Sequence, residues 1–229
     1  MSSALDRRSF LKAGGALVVG LVVIGIALAS SGQLGDQSVP KAPLSAIPDQ
    51  SLWDGRALGK ADAPGTIEAY EDFQCPACDV FSTQMQPELV KDYVVTGKVR
   101  LVYKDMIIID RNGSTESLRA AVGARCAGDQ GLFWPYHEWL FANQKGENQG
   151  HFSDAFLKAI AVAVGVPDME KWAACTKDQA VADAAEAEKA EGTQRGVNGT
   201  PTLFVNGENV GFPAYLDLKA KIDAIVAGS

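Results

Sequence analysis

Histidine is nearly absent from the chain: there are two in 229 residues, alongside four cysteines and four methionines. Neither His137 nor His151 has Cys, Asp or Glu at ligand spacing, so no histidine-built metal site is expected and both read as surface or loop residues. The cysteines supply a single C-x-x-C, which leaves a four-cysteine zinc site without its second pair. No metal or other cofactor is therefore expected. Basic clusters are also missing from the body of the chain. Lys and Arg number 21 against 28 Asp and Glu, a net charge of -7; removing the first 31 residues, with three basic and one acidic, leaves -9. An acidic body of this kind excludes nucleic acid as the expected partner. Internal repeats are absent. A composition of 47% hydrophobic and 21% charged residues is globular, long enough for one large domain or two small ones.

Long apolar runs are absent except at the start. Ala13 to Ala29 is an uncharged stretch of 17 residues, preceded by Arg7, Arg8 and Lys12. That pattern is an export signal or a membrane anchor over residues 1–29. The string Arg7-Arg8-Ser9-Phe10-Leu11-Lys12 resembles a twin-arginine signal, with Asp6 where Ser or Thr is usual; a generic positive leader is the alternative. Seventeen residues lie at the short edge of the roughly 17 to 25 that span a bilayer, and four glycines weaken the helix. Ala27-Leu28-Ala29 offers a cleavage site, so a removed signal and a retained single transmembrane helix both stand open. Either way, the basic residues keep the N-terminus inside and send the body out of the cytoplasm, to the periplasm or cell surface. Residues 30–52 carry Pro40, Pro43 and Pro48 without apolar periodicity and read as a linker, spanning roughly 25 Å as a flexible chain.

From residue 53 onward the pattern is that of a folded domain. Thr66 to Tyr70 alternates as a half-buried strand does, Glu71 to Gln74 turns, and Cys75-Pro76-Ala77-Cys78 opens a helix carrying Val80, Phe81, Met85 and Leu89 at helical spacing. Pro76 suits the first helical turn, and Pro87 predicts a kink. Val99 to Tyr103 reads as a second strand parallel to the first. Residues 114–195 are helical by pattern, with Ser153 as a cap and Gly165 and Pro167 as a stop. Leu132, Phe133, Tyr136, Trp139 and Leu140 fill the core of that block, and Met106 to Ile109 is buried after the second strand. Leu203 to Val205, Asn206-Gly207 and Glu208 to Val210 form a hairpin, and Tyr215 to Val226 a closing helix.

The C-x-x-C has its own chemistry. Cysteines three apart at a helix start lie close enough for a disulfide, and the free N–H groups there stabilise a thiolate on the first, below the free value of about 8.5. Stabilising that thiolate favours the reduced form and makes the oxidised pair a better oxidant. Cys75 is thus the expected nucleophile that forms mixed disulfides. Cys78, one turn inside, is the shielded resolving thiol. Cys126 and Cys175, apolar-flanked in an exported chain, read as a structural disulfide worth about 4 kcal/mol by loop entropy, with two separate buried thiols as the alternative.

The order of elements, with Asp72-Phe73-Gln74-Cys75-Pro76-Ala77-Cys78, Thr96-Gly97-Lys98-Val99-Arg100, Gly131-Leu132-Phe133-Trp134 and Val197-Asn198-Gly199-Thr200-Pro201-Thr202, resembles the DsbA-like family of extracytoplasmic thiol oxidoreductases over residues 53–229. The resemblance implies an α/β thioredoxin-like fold interrupted by a helical insertion. It also implies a cis Thr200-Pro201 bond beside the cysteines, with the Thr200 backbone binding an extended substrate. There are two departures. Ala77 stands where that family often has His, removing a neighbour that stabilises the thiolate. Ala69 stands six residues before Cys75, where thioredoxin-like proteins often carry a buried acid; Glu68 faces the other side of the strand, which leaves Glu71 or water to move the Cys78 proton.

The activity implied is transfer of the Cys75–Cys78 disulfide to exported proteins with free thiols. Reoxidation would come from a quinone-linked membrane partner, DsbB-like or vitamin K epoxide reductase-like, and the chain would act as a monomer. The competing readings are a disulfide reductase or isomerase, and a redox-inert thioredoxin-fold binding or assembly protein.

Overall fold

The computed structural model describes residues 40–43 and 49–227. The signal or anchor expected over residues 1–29 lies outside the described residues. So does most of the expected linker. Within that linker Lys41 is fixed, its backbone N–H donating to Asn143 Oδ1 at 2.7 Å and its carbonyl accepting from Asn143 Nδ2 at 2.8 Å.

One six-stranded sheet, in the order β1-β2-β4-β3-β5-β6, organises the chain. The strands are β1 (Trp53–Asp54), β2 (Ala57–Leu58), β3 (Gly65–Glu71), β4 (Val99–Asp105), β5 (Thr202–Val205) and β6 (Glu208–Gly211). Strands β3 and β4 are parallel, Ile67 opposite Leu101, while β5 runs antiparallel to β3 with Tyr70 opposite Thr202. Central position explains why β3 and β5 carry few exposed side chains. The small β1–β2 hairpin has no counterpart in the periodicity, since two-residue strands cannot show one; its only trace is the Asp54-Gly55 dipeptide, with Gly55 at φ 58°.

Helix α1 follows β3 and is continuous but not uniform. It is α-helical over Pro76–Val80 and Gln86–Leu89, and each piece runs into a π segment, Phe81–Met85 and then Val90–Val94. The first π segment ends two residues before Pro87, whose ring has no N–H to bond backward. Val80 faces outward, 42% exposed, whereas Phe81 and Leu89 are fully buried.

Five helices stand between β4 and β5: α2 (Glu116–Gly128), α3 (Phe133–Ala142), α4 (Asp154–Ala163), α5 (Met169–Cys175) and α6 (Gln179–Gln194). Ser153 caps α4, its hydroxyl accepting from the Phe156 N–H. Helix α6 lies on the sheet where Gly192 permits it, because a Cβ there would sit 2.8 Å from the Tyr70 ring and 3.0 Å from Met106 Sδ. Buried ions hold it in place: Arg125 binds both Asp105 (2.6 Å) and Glu188 (2.9 Å), and Arg56 reaches Glu188 from the β1–β2 hairpin. Helix α7 (Tyr215–Ala227) closes the chain. This is an α/β thioredoxin-like fold with a helical insertion. Among the described residues no helix is long and apolar enough to cross a membrane.

The insertion's core contains a residue expected elsewhere. His137 is not at the surface but fully buried. On α3 it follows Phe133 by four residues and precedes Phe141 by four, on the face that meets Phe73 and Tyr103, and the rings of all four lie within 5.8 Å of it. His151 does sit in a loop, half-buried, its ring 4.1 Å from that of Phe156. Phe133, Tyr136 and Leu140 are buried, with Leu132 and Trp139 packed at the margin. Of the run after β4, Met106 and Ile107 are buried while Ile108 is 37% exposed.

Candidate active site

Strand β3 ends where helix α1 begins, and the turn between them is held from three directions. The buried Asp72 carboxylate accepts from the Gln74, Ile108 and Ile109 N–H groups and from the Ser117 hydroxyl, tying the turn to the chain after β4 and to α2. Burial pushes its pKa up to about 6 against those bonds. Gln74 donates to Asp110 and Ser117 and accepts from the Asn148 N–H. Gln144, just past α3, donates one amide to two carbonyls, Phe73 at 2.9 Å and Cys75 at 3.0 Å.

Cys75 is the N-cap of α1, in extended backbone at φ −75°, and Pro76 follows at the first helical position. Its sulfur therefore faces the free N–H end of the helix. The Cys78 thiol donates to it, as do the Cys78 and Ala77 N–H groups; together these outweigh partial burial and lower the Cys75 pKa from 9.0 to about 6. Protonated, Cys75 Sγ donates to the Thr200 carbonyl at 3.2 Å. The Thr200-Pro201 bond is cis, and β5, paired to β3, brings it beside the cysteine. Both cysteines are free thiols in this structure, 6% and 0% exposed. Burial, with the Cys75 hydrogen bond and the nearby Glu71, raises the Cys78 pKa well above 9.0. Pro76 is exposed and Ala77 half-buried at the rim.

Glu71 shares a strand face with Ala69, two residues closer to the cysteines. It is 2% exposed and its Oε2 has no hydrogen-bond partner. Burial raises its pKa well above 4.5, helped by Cys75 and by Glu138 of α3. Further along α1, Gln86 donates to Glu138 at 3.2 Å and Ser82 is buried on the same side. A polar interior thus lies under the second cysteine. Glu68, on the opposite face, is instead paired with Arg195 at 2.7 Å.

The expected residues fall into two places. Cys75, Cys78, Pro76, Ala77, Thr200 and Pro201 come together; Cys126 and Cys175 stand apart, joined to each other with sulfurs 1.97 Å and Cα atoms 5.8 Å apart. Sequence reasoning gave no role to Asp72, Gln74, Gln144 or Glu138. The acidic and amide residues abutting the C-x-x-C were visible; the far partners Gln144 and Glu138 left no local signal.

Comparison with known proteins agrees with this geometry. The thioredoxin family model matches residues 52–224. The chain is 28% identical over 170 residues to the probable disulfide bond formation protein D of Bacillus cereus, covering 73% of this chain and 77% of that one. To the disulfide bond formation protein D of Bacillus subtilis it is 26% identical over 173 residues, covering 75% and 77%. The crystal structure of oxidised BdbD from Bacillus subtilis superposes with a TM-score of 0.68 at 25% identity, over 82% of this chain and all of that one. A C-x-x-C at a helix start, a cis-proline beside it, a sheet of this order and a family match across most of the chain place the protein among the DsbA-like, thioredoxin-fold disulfide oxidoreductases, the family to which it belongs.

Proposed function

We propose that the chain is an extracytoplasmic dithiol oxidase that passes the Cys75–Cys78 disulfide to exported proteins. The observation that carries this reading is the inequality of the two sulfurs: Cys75 is a thiolate stabilised at the helix N-terminus, Cys78 a fully buried thiol near Glu71, whose Oε2 has no hydrogen-bond partner. An incoming client thiolate attacks Cys75 Sγ, the Cys75–Cys78 bond breaks, and Cys78 leaves. Glu71, whose pKa burial raises, is the proton donor to the departing sulfur. A second client thiolate then attacks the client sulfur of the mixed disulfide. Cys75 departs as a thiolate, a good leaving group because its pKa is low. The client leaves oxidised and the pair remains reduced, two electrons having moved from client to enzyme. Cys78 keeps a second role, attacking Cys75 to release a client that cannot complete the exchange. The backbone at Thr200, next to Cys75 Sγ, is the strand-like partner for an extended client segment.

A quinone-linked membrane protein is the proposed reoxidant, and the basic residues before the apolar run at 13–29 support an enzyme on the outer side of the membrane, whether anchored or released. The names of the Bacillus relatives, disulfide bond formation protein D, support the oxidising direction. Acid-quench alkylation of cells tests it. A pair trapped mainly as the disulfide supports the oxidase, whereas a pair trapped mainly as thiols points to the reductase or isomerase and defeats this reading.

A further inference from the structure

The helical insertion contains a cavity of about 480 Å³ that the redox chemistry leaves unused, set among α2, α4, α5 and the start of α6. Its floor is apolar. Leu118, Val122 and Leu157 line it with Trp172, whose indole N–H is already donated to the Gly123 carbonyl at 3.0 Å and so is not available to a ligand. Its rim is cationic, with Arg119, Lys158 and Lys177 set against Asp154 alone. Asp154 meets Arg119 at 3.6 Å with its side chain 89% exposed, which makes the pair weak, and among the described residues neither Lys158 nor Lys177 has an ion-pair partner within 4 Å. The Cys126–Cys175 bridge joins α2 to α5, two of the walls, so the shape is fixed before any ligand arrives.

We propose that this cavity binds a single-chain amphipathic carboxylate, a medium-chain fatty acid, with its tail over Val122 and Trp172 and its carboxylate among Arg119, Lys158 and Lys177. The complementarity is of charge and of shape. An acidic protein that presents a positive rim over an apolar floor selects an anion with an apolar body. The volume suits one chain, within the range of about 300 to 1,000 Å³ for ligand pockets, and leaves no room for the two chains of a phospholipid.

Photo-crosslinking of the full chain with a diazirine-bearing decanoate, mapped by peptide mass spectrometry, tests the assignment. Label is expected on the peptides around Val122 and Trp172. Decanoate should compete it away, decanol about tenfold less well, and the combined Lys158→Glu and Lys177→Glu variant should lower labelling by about tenfold. These are surface positions, and disulfide exchange with a model peptide should be unchanged in the variant. The proposal is overturned if label spreads over the chain or is absent, if decanol competes as well as decanoate, or if the variant labels normally. It is equally overturned if a diazirine phosphatidylglycerol labels the same peptides as strongly, because the cations would then serve a lipid surface.

Discussion

The low pKa of Cys75 beside a high one at Cys78 predicts a break in the redox titration of the pair. Below about pH 6 reduction takes up two electrons and two protons, so the potential falls by ~59 mV per pH unit; above it Cys75 stays ionised, one proton is taken up, and the slope halves to ~30 mV. Because the Cys78 pKa lies well above 9.0, the second slope should hold through pH 9. The size of the effect at neutrality follows from the same values. At pH 7, lowering Cys75 from 9.0 to about 6 stabilises the reduced form by ~1.4 kcal/mol, equivalent to ~30 mV. This is a modest gain, and with Ala77 supplying no cation it keeps the couple nearer the roughly −270 mV of thioredoxin than the roughly −120 mV of DsbA. An oxidase with such a potential depends on a reoxidant that keeps it charged, as a kinetically maintained periplasm does.

Folding stability follows the same ionisation. A folded-state pKa below the unfolded one gives the reduced protein stability that is present in full above about pH 9 and lost as pH falls through about 6, while the oxidised protein lacks it. Equilibration against glutathione from pH 5 to 9, with thiolate absorbance at 240 nm as a second readout, measures the break, and urea unfolding of the reduced and oxidised protein over the same range measures the stability. A single slope across that range, with no break between about pH 5 and 7, would refute the assignment of a stabilised thiolate to Cys75.

Three further outcomes follow from named contacts. Glu71→Gln should slow opening of the disulfide by about 10² at pH 7, the lower range for a lost proton donor, while leaving the Cys75 pKa near or below 6; stopped-flow exchange that is unaltered would rule the donor out. Replacing Cys126 and Cys175 by Ser removes a cross-link across 49 residues of sequence and should cost about 4 kcal/mol in denaturant unfolding without changing the redox potential. Gly192→Ala places a methyl against Tyr70 and Met106 and should cost about 1–3 kcal/mol, read as a lowered urea midpoint.

The parts legible in the sequence are those specified by near neighbours. Strand β3, the helix at Cys75, the Ser153 cap and the Asn206-Gly207 hairpin each depend on a few consecutive residues, and each lies where its pattern put it. Pairings over distance were not legible. His137 reads as polar when counted alone, and only the packing of α3 on Phe73 and Tyr103 makes an interior of it. Val80, grouped with Phe81, Met85 and Leu89 in the sequence, is likewise exposed once the buried side of the helix is set by Cys78 and Phe81. Glu71 was within reach because strands have a period of two, so an acid two residues beyond Ala69 shares its face. Glu138, 67 positions later in number, gave no sign of meeting it.

The single amide of Gln144 that grips the Phe73 and Cys75 carbonyls separates two jobs that one might expect to be fused. The nucleophile is located from outside the active-site helix, by the loop after α3, while Pro76 and Ala77 project from the helix with no part in that grip. The two intervening residues are therefore interchangeable parts. Evolution, or an engineer, can swap them to retune how strongly the pair pulls electrons without relocating the atom that clients attack.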